Sequence, residues 1–270
     1  MTAPLLVLLC ILTIVVLAYF YKSPAGKKSI PDSYRKILQA HVSYYRALEP
    51  KQKDRFEKKI MELLGYIHID GVGTEVEDLD RVLVAASGVI PIFGFPEWKY
   101  YNLGYVLLYP HAFDEETFLS AQAMRNTLGM VGTGALQRVM ILSRPSLRRG
   151  FENYLGKENT GIHEFVHLLD KEDGAVDGIP EALLQRQYVL PWLALIKKHM
   201  DSILEGQSDI SLYGTRNQAE FFAVASEYFF SRPDQFRQNH PDLYDLMTRI
   251  FNQEPPVPPY QETAPPPSQP

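Results

Sequence analysis

The pentapeptide His163-Glu164-Phe165-Val166-His167 carries two imidazoles and a carboxyl group at a spacing suited to metal chemistry. Residues four apart lie on one face of a helix, so His163 and His167 can aim their rings at a common point. Glu164, at the next position, can take a proton from a water held there. That pattern points to a zinc metallopeptidase with His163 and His167 as its first two ligands. Thr160 is placed to cap the helix, and Ile162, Phe165, Val166 and Leu169 supply the apolar surface that would bury it.

A catalytic zinc needs a third protein ligand and an open position for water. The chain has a single cysteine, Cys10, so a site built from thiolates is excluded. No third histidine follows His167 closely; the next residues are Leu168, Leu169, Asp170 and Lys171. The search therefore moves to a distant carboxylate, and the stretch from Asn217 to Glu227 offers two, Glu220 and Glu227. They lie about 10 Å apart along a helix, so one is the ligand and the other serves it or the fold. Spacing alone does not choose. Glu220 could instead complete a capping box with Asn217, and Glu227 could be a solvated or salt-bridged helix position. Asp170 could accept the free ring N–H of a ligand histidine, or be an ordinary acid at a helix end.

These residues need elements to hold them. Pro31-Asp32-Ser33 opens a helical stretch with Tyr34, Ile37, Leu38, His41, Tyr44, Tyr45 and Leu48 at helical spacing, and Pro50 starts a second that includes Phe56, Ile60, Leu63 and Leu64. Residues 78–90 read as an apolar helix halted by Pro91. Val106–Tyr109 and Val139–Leu142 read as strands. Helices follow over 160–170, over 182–204 with a break at Pro191, over 217–230 ending before Pro233, and from Pro241 to about Phe251. The expected fold is a helix-dominated α+β domain with a small sheet, spanning 31–253, with a linker over 22–30 and a Pro-rich disordered tail over 254–270.

The N-terminus stands apart in composition. From Ala3 to Phe20 no charge appears, and the first basic residue is Lys22. Such a run suffices for a transmembrane helix over residues 1–21. Lys22, Lys27, Lys28, Arg35 and Lys36 follow it, which puts the bulk of the chain on the cytoplasmic side. The expectation is a single-pass anchor rather than a cleaved signal. The formal net charge of -5 excludes nucleic acid as the main partner, since phosphate binding needs a basic surface.

Wider stretches of the sequence resemble a known family. His163 to Asp170, Asp177-Gly178-Ile179-Pro180, Tyr213 and the block from Ala219 to Phe230 are similar to the Mlc titration factor A family of zinc peptidases. Leu83-Val84-Ala85-Ala86 and Leu108-Tyr109-Pro110 fit it as well, and the similarity covers roughly residues 50 to 253. The resemblance implies a zincin-like fold with one Zn2+ held by His163, His167 and Glu220, Glu164 as catalytic base, and Tyr213 near the metal as a stabiliser of an oxyanion. It also implies an aminopeptidase-like activity on peptide or protein substrates, and binding to a sugar-responsive transcriptional repressor. On the alternative reading the chain sequesters such a regulator and its zinc is mainly structural; on a third, both histidines are structural in a metal-free membrane scaffold.

Overall fold

A computed structural model describes residues 29–111, 138–152 and 156–257. Its elements, in chain order, begin with helices α1 (Asp32–His41), α2 (Ser43–Ala47) and α3 (Pro50–Leu64), strand β1 (His68–Gly71) and helix α4 (Asp78–Ile92). Strands β2 (Tyr105–Tyr109) and β3 (Val139–Ser143) follow, then α5 (Arg144–Glu152) and α6 (Thr160–Asp170). The C-terminal half is helical: α7 (Val189–Leu204), α8 (Gln218–Ser231), α9 (Pro233–Asn239) and α10 (Pro241–Ile250). This is the expected helix-rich architecture around a small sheet.

The three strands lie in the order β1-β2-β3 and all pairs are parallel, with Ile69 opposite Val106 and Val106 opposite Met140. Each of these three residues is buried, so one face of the sheet packs inward. Parallel strands need a covering crossover, and between β1 and β2 the chain supplies α4. From Val82 to Ile92 every residue of α4 is buried. A helix that is apolar on all sides belongs inside a domain, and α4 is the helix on which the site-bearing segment rests.

Two close approaches fix α6 on α4. A Cβ at Gly161 would collide with the Ser87 side chain, and one at Gly88 would lie 2.7 Å from the Phe165 ring. Small residues at both crossings let the backbones meet. At its N-terminal end α4 is held by charge. Asp80, fully buried, accepts the Glu77 backbone N–H at 3.0 Å and lies 2.7 Å from Arg148 Nε and 3.1 Å from Arg144 Nε. Both arginines sit on α5, so the carboxylate caps one helix and fastens the next; buried charge of this kind is tolerated only when it is paired.

Several boundaries differ from expectation for identifiable reasons. The first long helical run divides at Val42, which takes extended torsions (φ -104, ψ 97). That step turns Val42, Tyr44 and Tyr45 into the core together with Leu38. Pro91 does not halt α4, which runs on to Ile92. A proline so near the C-terminus forfeits only the bond its N–H would have made to Ser87 O, and the carbonyls at the helix end are met by Gln253 Nε2, which donates to Ile90 O at 2.9 Å and Pro91 O at 3.2 Å. The helix expected from 182 begins only at Val189, with Pro191 in its first turn, where no N–H is needed. Strand β1 and helices α5 and α9 are not among the expected elements; β1 is only four residues long, α5 follows β3 directly, and Pro233 closes one helix while opening another.

The expected membrane anchor at 1–21 lies outside the described residues, and so do residues 258–270 of the Pro-rich tail. Among the described residues no helix is long and apolar enough to cross a membrane. Residues 254–257 are neither helix nor strand, and Pro255 is buried.

Candidate metal centre

Helix α6 starts one residue after its cap. Asn159, not Thr160, takes the extended cap conformation, and its side chain accepts the Ile162 N–H at 3.0 Å. Asparagine is the stronger cap, so the Asn-Thr order in the sequence carried the signal. From Gly161 to His167 the helix is buried on all sides, with His163, Glu164 and His167 among the covered residues.

Helix α8 lies against α6 and brings the carboxylates. Asn217 caps it by accepting the Glu220 N–H at 2.9 Å. Only this half of a capping box forms around Glu220, because its carboxylate turns to the histidines instead. Glu220 Oε2 lies 3.1 Å from His163 Nε2 and 3.4 Å from His167 Nε2, and the two Nε2 atoms are 3.1 Å apart. The rings stand nearly perpendicular, at 82°. One ligand atom from each of these three residues falls within 4.8 Å of the others, the sole such set of His, Cys, Asp or Glu side chains among the described residues.

Three electron-pair donors pointed at one another in a buried space require a cation between them or protons upon them. The charges respond accordingly. Burial would lower His163, but the Glu227 and Glu220 carboxylates, with a smaller contribution from Glu164, outweigh it and push the imidazole up to about 10. Burial would raise Glu220, but hydrogen bonds from His163 and His167 hold it well below the usual carboxylate range. Without a metal, then, a proton neutralises the cluster. A divalent cation does the same with greater charge, and two imidazoles with one carboxylate form a donor set that suits zinc.

Glu227 faces the other side of the same ring. His163 Nδ1 donates to Glu227 Oε1 at 2.7 Å, and Glu227 Oε2 accepts the backbone N–H of Asn159. Glu227 is therefore neither solvated nor separate from the site. Asp170 does not take the role considered for it. Its Oδ2 accepts the Gly178 N–H at 2.9 Å, while His167 Nδ1 and Asp170 Oδ1, both buried, have no hydrogen-bond partner among the described residues. Burial pushes the Asp170 carboxyl up to about 7, against the Gly178 hydrogen bond.

The Asp177-Gly178-Ile179-Pro180 loop touches the C-terminal end of α6 and the N-terminal end of α8. Gly178 has φ +80, a conformation that favours glycine, and a Cβ there would strike the Gln218 carbonyl at the start of α8. Its carbonyl accepts the Trp192 indole N–H at 2.6 Å. Tyr213, on a short turn of 3-10 helix (Leu212–Thr215) before α8, brings its ring to 6.0 Å from that of His163 and carries the Arg216 guanidinium at 4.3 Å from its centroid. The structure thus brings His163, His167 and Glu220 together with Tyr213 beside them, and buries Glu164 on the helix that carries both histidines. Asn159, Glu227 and Gly178 complete the surroundings.

A histidine pair on one buried helix, met by a glutamate from a second, defines a class of helical domains with a metal-binding centre. The chain belongs to the family described as glucose-regulated metallo-peptidase M90, whose model matches residues 20–252. It is similar to the protein slr2042 of Synechocystis sp., with 26% identity over 239 residues, 85% of this chain and 86% of the relative. It is also similar to Mlc titration factor A of Pectobacterium atrosepticum, with 26% identity over 213 residues, 74% of this chain and 75% of the relative. The Mlc titration factor A of Escherichia fergusonii shows 28% identity over 211 residues, again 74% of this chain and 75% of the relative. The family resemblance read from the motifs is thereby borne out.

Proposed function

We propose that the protein is a zinc-dependent peptidase in which His163, His167 and Glu220 hold one zinc ion and Glu164 is the catalytic base. The observation that carries this reading is the convergence of His163 Nε2, His167 Nε2 and a Glu220 oxygen in a buried cluster, with Glu164 the next residue along the same helix. Zinc bound there supplies a Lewis acid and brings the pKa of a water to about 7. Glu164 accepts the proton of the water that attacks the scissile carbonyl and delivers it to the leaving amine. Tyr213, beside His163, hydrogen-bonds the oxyanion that develops on the substrate.

Glu164→Gln tests the assignment. The variant is expected to bind zinc as the parent does and to hydrolyse peptides at least 10²-fold more slowly; full activity in that variant sinks Glu164 as the base. A second reading has its own support, since several relatives carry the name Mlc titration factor A. On that reading the domain binds a transcriptional regulator and the metal is mainly structural. The same variant separates the two, because regulator binding would survive a loss of hydrolysis.

A further inference from the structure

We propose that Glu227 is the positioning residue of His163, fixing at once which ring nitrogen faces the metal and how the ring sits on its own helix. The inference rests on the metal-binding reading above. It follows from two hydrogen bonds made by one carboxylate. Oε1 accepts from His163 Nδ1 at 2.7 Å, and Oε2 accepts the main-chain N–H of Asn159, the residue that caps α6. A hydrogen on Nδ1 leaves the Nε2 lone pair as the only one the ring can offer, and Nε2 is the atom that faces His167 and Glu220.

The second bond gives the carboxylate its particular value. Asn159 and His163 are joined by the first backbone bond of the helix, His163 N–H to Asn159 O at 2.9 Å. Glu227 therefore closes a ring of contacts that runs from the helix cap, through the backbone, to the imidazole and back. Turning the imidazole about its Cα–Cβ bond breaks the Nδ1–Oε1 bond, and the carboxylate cannot follow the ring without giving up the Asn159 N–H. Among the described residues His167 has no matching support, because its Nδ1 finds no hydrogen-bond partner there. The two ligands are thus unequal, and the constraint lies on His163.

An amide cannot replace this carboxylate. The site calls for two acceptors, and glutamine has one acceptor oxygen and one donor NH2. If its oxygen meets His163, its NH2 opposes the Asn159 N–H. If it is flipped, its NH2 demands a lone pair on Nδ1 and puts the hydrogen on Nε2, where the metal belongs. Removing such outer partners of ligand histidines costs about 10- to 100-fold in metal affinity.

The test uses the full chain titrated with zinc against a competing chelator, with Glu227→Gln and Glu227→Ala beside the parent. Both variants are expected to bind zinc about 10- to 100-fold more weakly. In the parent, ¹⁵N-labelled at histidine, the Nδ1–H proton of His163 is expected to exchange slowly with water, with or without zinc. Either folded variant binding zinc as tightly as the parent overturns the proposal. So does rapid exchange of that proton in the parent, a result that needs no variant to fold. A parent that takes up no zinc overturns the proposed function instead, and a protected Nδ1–H in that chain distinguishes the two failures.

Discussion

At the scale of single residues, the centre is a balance of charge more than a set of contacts. Two imidazoles and two carboxylates, Glu220 and Glu227, share a space that water barely enters. Tyr213 brings its ring to 6.0 Å from that of His163. On the proposed mechanism its hydroxyl acts on the negative charge that builds up on a substrate. Tyr213→Phe is therefore expected to keep its zinc and its KM while kcat falls about 10²-fold, the usual effect of deleting one oxyanion donor. Steady-state kinetics with a peptide that the parent cleaves decide the point, and an unchanged kcat removes Tyr213 from the reaction.

At the scale of elements, the two site helices are set by what lies beneath them. Helix α6 can carry its histidines at the observed depth only because Gly161 meets Ser87 of α4 without a side chain between them. Gly161→Ala inserts a methyl group into that contact and is expected to destabilise the protein by about 1–3 kcal/mol. Combining it with Ser87→Gly should recover part of the loss, since substitutions in contact do not add. Urea unfolding of the four proteins measures the coupling. A Gly161→Ala protein as stable as the parent would contradict the close approach.

The same elements show what could be read from sequence. The bounds of α6 and the nature of α8 were legible because each has a cap residue, a run of apolar side chains and a definite stop. The convergence of His163 and His167 on one point followed from helical spacing. The choice between Glu220 and Glu227 did not, because seven residues leave both on one face and the packing of α6 alone decides which reaches Nε2. The start of α7 was misplaced because prolines at 180 and 191 and apolar residues between them fit a helix as well as a turn. Strand β1 carries too short a pattern to announce itself.

At the scale of the molecule, one carboxylate outside the histidine cluster joins distant parts of the chain. Asp209, in the loop before Tyr213, accepts from Lys157 Nζ at 2.6 Å, Tyr228 OH at 2.7 Å, Asn239 Nδ2 at 2.8 Å and His240 Nε2 at 2.6 Å. Burial would raise its carboxyl, but these four groups outweigh it and hold it well below the usual range. A carboxyl depressed in the folded state contributes stability above its unfolded pKa, about 3.9, and that contribution fades as pH falls through the folded value. Asp209→Asn is accordingly expected to cost about 1–2 kcal/mol at pH 7, with parent and variant converging below about pH 4. Urea midpoints at pH 7 and pH 3 provide the comparison; an equal gap at both would show that the charge of Asp209 is not what counts.

The chain beyond α10 closes the domain. Asn252 Nδ2 donates to Gly94 O at 2.9 Å, Gln253 Nε2 to the carbonyls of Ile90 and Pro91, and Tyr44 OH to Gln253 Oε1 at 2.5 Å. Two side-chain amides thereby act as a clasp, fastening residues near 250 to helices from the first hundred. A chain cut after Ile250 would keep all ten helices and all three strands described here, yet it would leave the end of α4 open. The helix under the candidate metal centre is thus sealed by a segment that leaves the ribosome only after all ten described helices.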